Sequence, residues 1–302
     1  MIKNKRLRGN ILLFIAAFIW GTAFVGQRLG VNYLHGCTFN GIRSFIGCIA
    51  LLPVIFFIDT KEKKKGTYKK DHLPTLIIGG IVCGIFLFWA STAQTVAMVD
   101  ADEGKAGFMT TMYLIIVPIL GVFTGKRVKL IVWISALFAL VGLYFLCMDK
   151  GTGFSFDKSE LLLIMCAFVF SFHILAVDYF SPKVSGVKLS CVQFFVVGCI
   201  SLVYMVFVDK PSFADILKCI GPLLYLGVMS SGVAYTLQIV AQKDTEPAVA
   251  SIIMSMESLF ALLAGAAFAG VMPSARALIG CSLMMVAILL VQMPQKEENK
   301  NA

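Results

Sequence analysis

The chain has 302 residues, 59% of them hydrophobic and 14% charged, with a mean hydropathy of +0.87 and a formal net charge of +9. Soluble domains run nearer half apolar and a quarter charged, so a water-soluble globular fold is excluded. The apolar residues are blocked into runs of about 18–24 with short polar breaks, and a transmembrane helix needs roughly 20. The expectation is an all-α integral membrane protein.

Ten spans follow in chain order. The first, 10–28, comes after "KNKRLR" as a signal peptide would; it lacks an A-x-A cleavage site and many spans follow, so it reads as a retained helix. The second, 37–58, carries Pro53. The third is 73–95, the fourth 105–124 with Pro118, and the fifth 130–148 with Gly142. A hinge, "DKGTGFSFDK", leads to the sixth, 159–180, and the seventh, 187–208. The eighth, 217–240, carries Gly227; the ninth and tenth are 247–270 and 275–292. Membrane helices tolerate such Pro and Gly where neighbours satisfy the freed backbone groups.

Eighteen of the 26 lysines and arginines fall before the first span, after the tenth, in alternate loops between, or, as Lys188, at the loop-side end of the seventh span. Cytoplasmic loops carry the positive excess, which places the N- and C-termini inside the cell. The same bias explains the net charge without a nucleic-acid partner. "KEKKKGTYKK", 61–70, reads as a topology signal against anionic lipid.

The nine cysteines include no C-x-x-C and lie mostly in spans, where a free thiol acts as a small hydrophobe. No H-E-x-x-H and no Gly-rich phosphate loop occurs. Neither enzyme chemistry nor a metal or other cofactor is expected.

Residues 94–125 align without gaps on 238–269 at an offset of 144, pairing Gln94 with Gln238, Ala97 with Ala241, Asp100 with Asp244, Met112 with Met256 and Gly121 with Gly265. Each half, 1–149 and 150–302, holds five spans. Five is odd, so the second copy lies inverted in the membrane. Inverted repeats are a transporter signature, with the site near the midplane between the halves.

"FIWGTAFVGQRLG" followed by "NGIRSFIGCIALLPV" resembles the opening helix pair of the drug/metabolite transporter superfamily, EamA-like family. "LIVWISALFALVGLYFL" after "GVFTGKRV", and "GVAYTLQIVAQKDTEPAVASIIMSMESLFALLAG", resemble later parts of it. The resemblance covers about 10–292. It implies two inverted five-helix repeats around a central cavity, moving small metabolites by alternating access. Where many members carry Gly-Glu after the fourth and ninth helices, this chain has Gly125-Lys126 and Gly270-Val271, so no role is carried over from those glutamates.

Polar residues inside spans are the candidate site. Glu257 shares one helical face with Ala250, Met254, Ala261 and Ala264, and an adjacent face carries Ser251, Ser255 and Ser258. Intramembrane carboxylates cost roughly 3 kcal/mol on insertion scales and mark functional sites by default. Glu257 is either a proton-coupling group or a structural hydrogen-bonded bridge. Its counterpart in the first half is Tyr113. His173 is a second proton carrier or a histidine satisfied by its neighbours, and Asp178 faces water or pairs with Lys183. Arg43 either snorkels outward or attracts a substrate carboxylate; the matching place in the family carries an arginine. Trp20 and Gly21 lie at mid-depth, where a tryptophan packs the cavity wall. Gln94, Gln193, Tyr235 and Gln238 complete the expected lining.

The expectation is a plasma-membrane secondary transporter, monomeric or homodimeric, exporting a small-molecule substrate such as an amino acid or derivative. The lipid bilayer is its other partner. The alternative is a lipid-handling protein, a flippase or head-group enzyme, which in its enzymatic form needs catalytic groups clustered at one interface.

Overall fold

The structure, a computed structural model, describes residues 2–101, 103–147, 157–269 and 273–293. Those residues form helices and no strand. Ten helical stretches are long and apolar enough to cross a membrane: α1 Lys5–Val31, α2 Gly36–Lys64, α3 Leu73–Ala97, α4 Ala106–Phe123, α5 Leu130–Cys147, α6 Lys158–Phe180, α7 Gly186–Asp209, α8 Ile220–Gln242, α9 Pro247–Ala267 and α10 Ala275–Gln292. The eighth span starts later than its apolar run suggests. Phe213–Lys218 forms a separate short helix, with the Ser212 hydroxyl accepting from Asp215 N–H at 3.1 Å. Most of the hinge read from the sequence lies outside the described residues.

Polarity is inside out relative to a soluble protein. Phe56, Phe57, Phe123 and Phe207 are exposed, whereas Gln27, Asn40, Arg43, Gln193, Gln238, His173 and Glu257 are buried. That distribution suits a hydrocarbon solvent, in which polar groups face the bundle interior. The chain is a multi-pass membrane protein.

Packing follows a symmetric scheme. The main pairs are α5–α10, α3–α6, α2–α7, α3–α7, α1–α9, α2–α8, α1–α8 and α4–α6. Exchanging each span with the one five places on returns the same set: α3–α6 becomes α8–α1, α1–α9 becomes α6–α4, and α3–α7 becomes α8–α2. The α5–α10 and α2–α7 pairs map onto themselves. Backbones touch between α5 and α10, where a Cβ on Gly280 would lie 2.6 Å from the Gly142 carbonyl oxygen. Without a hydrophobic force between helices in lipid, such close approach is what holds them.

Two spans are interrupted at corresponding places. The helix ending at Thr110 resumes at Tyr113, and the one ending at Met254 resumes at Met256. At the first break Leu114 N–H donates to Thr111 O at 3.0 Å; at the second Ser258 N–H donates to Ser255 O at 3.3 Å. These are the tighter i→i+3 bonds of a 3₁₀ turn. The Thr111 hydroxyl donates to Gly107 O and the Ser255 hydroxyl to Ile252 O, each at 2.7 Å. Thr111 and Ser255 are 144 residues apart, the offset of the sequence repeat. α8 is π-helical over Leu226–Ala234, a widening frequent at functional sites.

Candidate functional site: a central cavity between the two broken spans

A cavity of ≈ 50 Å³ lies among α1, α2, α3, α4, α6, α8 and α9. A few water molecules fill that space, so anything larger enters only when the walls part. Seven of the residues expected from sequence line it: Trp20, Arg43, Gln94, Tyr113, Tyr235, Gln238 and Glu257. Ala23, Phe24, Gln27, Phe170, Ile174, Ser230 and Met254 complete the lining.

Tyr113 and Glu257 each stand two residues after the hydroxyl residue of a break, Thr111 and Ser255. The Tyr113 hydroxyl donates to Glu257 Oε1 at 3.0 Å. Positions paired at the 144-residue offset therefore touch across the cavity. Gln94 and Gln238, the other polar pair at that offset, line the same cavity. Gly21 brings α1 against α9 here: a Cβ on it would lie 2.7 Å from the Glu257 carbonyl oxygen and 2.4 Å from Phe260 Cβ.

Arg43 is buried, and its Nε donates to Asn40 Oδ1 at 2.7 Å. Asn40 Nδ2 donates to Thr95 Oγ1 at 3.1 Å and Gln27 Nε2 to the same oxygen at 2.6 Å; Thr95 Oγ1 donates to Ser91 O at 2.8 Å. This network ties α1, α2 and α3 and holds the guanidinium in place, so Arg43 does not snorkel. Gln27 lies seven residues after Trp20, two turns along one face, and Asn40 one turn before Arg43. Those spacings, polar residues recurring along one helix face, are the signal of this network in the sequence.

The aromatic wall is Trp20, Phe170 and Tyr235. The Trp20 and Tyr235 rings are 4.7 Å apart, edge to face. Trp20 Nε1 is buried and finds no acceptor among the described residues, leaving a donor at the cavity.

His173 and Gln193 are placed differently. His173 Nε2 and Gln193 Oε1 are 3.1 Å apart, both side chains are fully buried, and neither lines the cavity. The His173 ring lies 6.0 Å from that of Tyr235, behind the wall. Asp178 pairs with Lys126 and not with Lys183, whose ammonium sits 2.9 Å above the Tyr179 ring. The Ser251 and Ser255 hydroxyls return to their own helix, at Ala248 O and Ile252 O.

Two further spaces adjoin the bundle. A vestibule of ≈ 480 Å³ opens where α4 and α6 end and α8 turns into α9. An entirely apolar groove of ≈ 630 Å³ runs between α4, α5 and α6. Among the described residues no three His, Cys, Asp or Glu side chains gather as a metal site.

Comparison with known proteins agrees with this architecture. The model of the EamA-like transporter family matches residues 7–148 and again residues 157–293. An uncharacterized transporter of Archaeoglobus fulgidus is 28% identical over 295 residues, covering 96% of this chain and 87% of that one. The uncharacterized transporter YwfM of Bacillus subtilis is 24% identical over 301 residues, covering 98% and 99%. A solved crystal structure is similar with a TM-score of 0.74 at 17% identity, over 94% of this chain and 98% of its own; at that identity the likeness concerns the fold.

Proposed function

We propose that this chain, which belongs to the EamA-like transporter family, is a secondary transporter that exports a small zwitterion, an amino acid or close derivative, by alternating access. The observation that carries the reading is a cavity lined by one guanidinium and one carboxyl group, Arg43 and Glu257, among aromatic rings. An arginine recognises a carboxylate through paired N–H donors. With Nε held by Asn40, the terminal nitrogens of Arg43 remain for that contact. Glu257 and the faces of Trp20 and Tyr235 suit the ammonium end, through charge and cation–π attraction.

Residues 1–149 and 150–302 act as two inverted repeats that rock about the cavity. The doubled family match, the exchange of packing pairs and the matched breaks support this. Discontinuous helices in corresponding positions point to the binding site of such transporters. Glu257 couples the cycle by exchanging a proton, and its bond to Tyr113 is made or broken as it does so. His173, buried behind Tyr235, supports the wall and assists that proton's passage. The chain sits in the plasma membrane with N- and C-termini inside, as the lysine and arginine bias supports.

A second reading, a lipid-handling protein, is favoured by the apolar groove between α4 and α6. The test is counterflow in reconstituted vesicles, using labelled amino acids and, in parallel, the amines that lack the carboxylate. Uptake of the amino acid but not of its amine, lost in Arg43→Gln, is expected. Transfer of a fluorescent phospholipid between leaflets without amino-acid counterflow supports the lipid reading instead.

A further inference from the structure

We propose that the charged vestibule is the entry site for substrate, and that Gln242 is the gate between it and the central cavity. The proposal rests on the transport reading above. The vestibule is lined by Lys126, Arg127 and Lys243 and by Asp178, Asp244 and Glu246. Lys126 and Asp178 pair with each other, which leaves Arg127 and Lys243 beside Asp244 and Glu246, two charges of each sign that attract both ends of a zwitterion.

The wall between vestibule and cavity is thin. Gln242 lines the vestibule, whereas Gln238 and Ile174 line the cavity. Gln238 Nε2 donates to Gln242 Oε1 at 2.9 Å, and Gln242 Nε2 donates to Ile174 O at 3.1 Å. One buried amide thus spans from α8 to α6 and closes the passage. Gln238 Oε1 is buried with no donor among the described residues. An ammonium group passing the gate supplies that donor, so the same chain of amides that shuts the passage receives the substrate.

The opposite side is closed by bonds of its own. The Gln27–Thr95–Asn40–Arg43 network joins three helices there. Arg28 donates to the Met98 carbonyl, and Thr38 bonds Asp209.

The experiment uses the full chain with its native cysteines replaced, reconstituted in vesicles, and a membrane-impermeant maleimide. A cysteine at Glu246 in the vestibule reports which face the reagent has reached. A cysteine at Ala23 reports access to the cavity. Gln242→Ala and Gln242→Leu are each expected to raise the Ala23-position labelling rate tenfold or more, only from the face that labels position 246. Leucine keeps most of the volume but neither hydrogen bond, so it carries the test if the alanine variant folds poorly. Parental rates in Gln242→Leu, or a rise from the other face, overturn the gate. Labelling needs no transport: an opened gate in a protein that moves no amino acid upholds Gln242 and overturns the transport reading instead.

Discussion

Arg43 and Glu257 differ in how firmly they are held. Arg43 is anchored through Asn40 to a network spanning three helices, so in the proposed transport cycle its role is geometric, to present a planar fork. Lysine keeps the charge and loses the fork. Arg43→Lys is therefore expected to raise KM for substrate about tenfold or more with normal membrane insertion, measured by initial rates in vesicles. Glu257 has the Tyr113 hydroxyl as its contact across the halves. A hydrogen bond to a charged group is worth about 1.5–3 kcal/mol, at least tenfold in an equilibrium. Tyr113→Phe should slow proton-driven transport about tenfold while substrate-for-substrate exchange persists; equal losses in both assays reduce Tyr113 to packing. These residues were legible because a charge or amide inside an apolar run is costly and therefore informative. Gln193 and His173 gave the same signal and lie behind the wall, because polarity reveals a buried side chain but not which surface it serves. Gln27 and Asn40 became visible only through the network they build.

At the scale of elements, the helices that form the cavity and those that frame it respond differently to the same change. α5 and α10 meet at Gly142 and Gly280 and contribute nothing to the cavity lining. Gly280→Ala forces their backbones apart, an overpacking cost of about 1–3 kcal/mol. It is expected to lower the melting temperature in detergent and leave substrate affinity unchanged. Gly21→Ala disturbs α1 against α9 beside Glu257, and should lower both. The spans themselves were readable from apolar runs alone, since a bilayer sets their length. The two breaks were not. Pro53 lies within a continuous helix, and Pro118 lies inside the second half of its span. The interruptions fall at Thr111–Met112 and Ser255, where the chain has neither Gly nor Pro. Hydroxyl groups turned back on the preceding carbonyls mark them, a local competition that hydropathy does not register. The signal lay in the repeat: threonine and serine at equivalent positions, each two residues before a cavity group.

For the whole molecule, the proposed duplication rests in the sequence on a weak 144-residue offset and on five spans in each half. A second echo, "GCIALL" at 47–52 and "GCISLV" at 198–203, links α2 to α7 at a different offset, so no single gapless register holds both. The orientation proposal places Lys64 and Lys210 on opposite sides of the membrane. Single cysteines there, in intact cells, should label from outside at 210 and not at 64. The reverse pattern overturns the inside placement of both termini.

The central claim, transport coupled through Glu257, is tested most directly by vesicles with an imposed pH gradient and a labelled amino acid that the parent accumulates. Glutamine at 257 keeps the shape and removes the exchangeable proton. The account predicts that Glu257→Gln still exchanges labelled for unlabelled substrate yet fails to accumulate it against its gradient. Uphill accumulation by Glu257→Gln at the parental rate would contradict it and leave Glu257 a structural bridge to Tyr113.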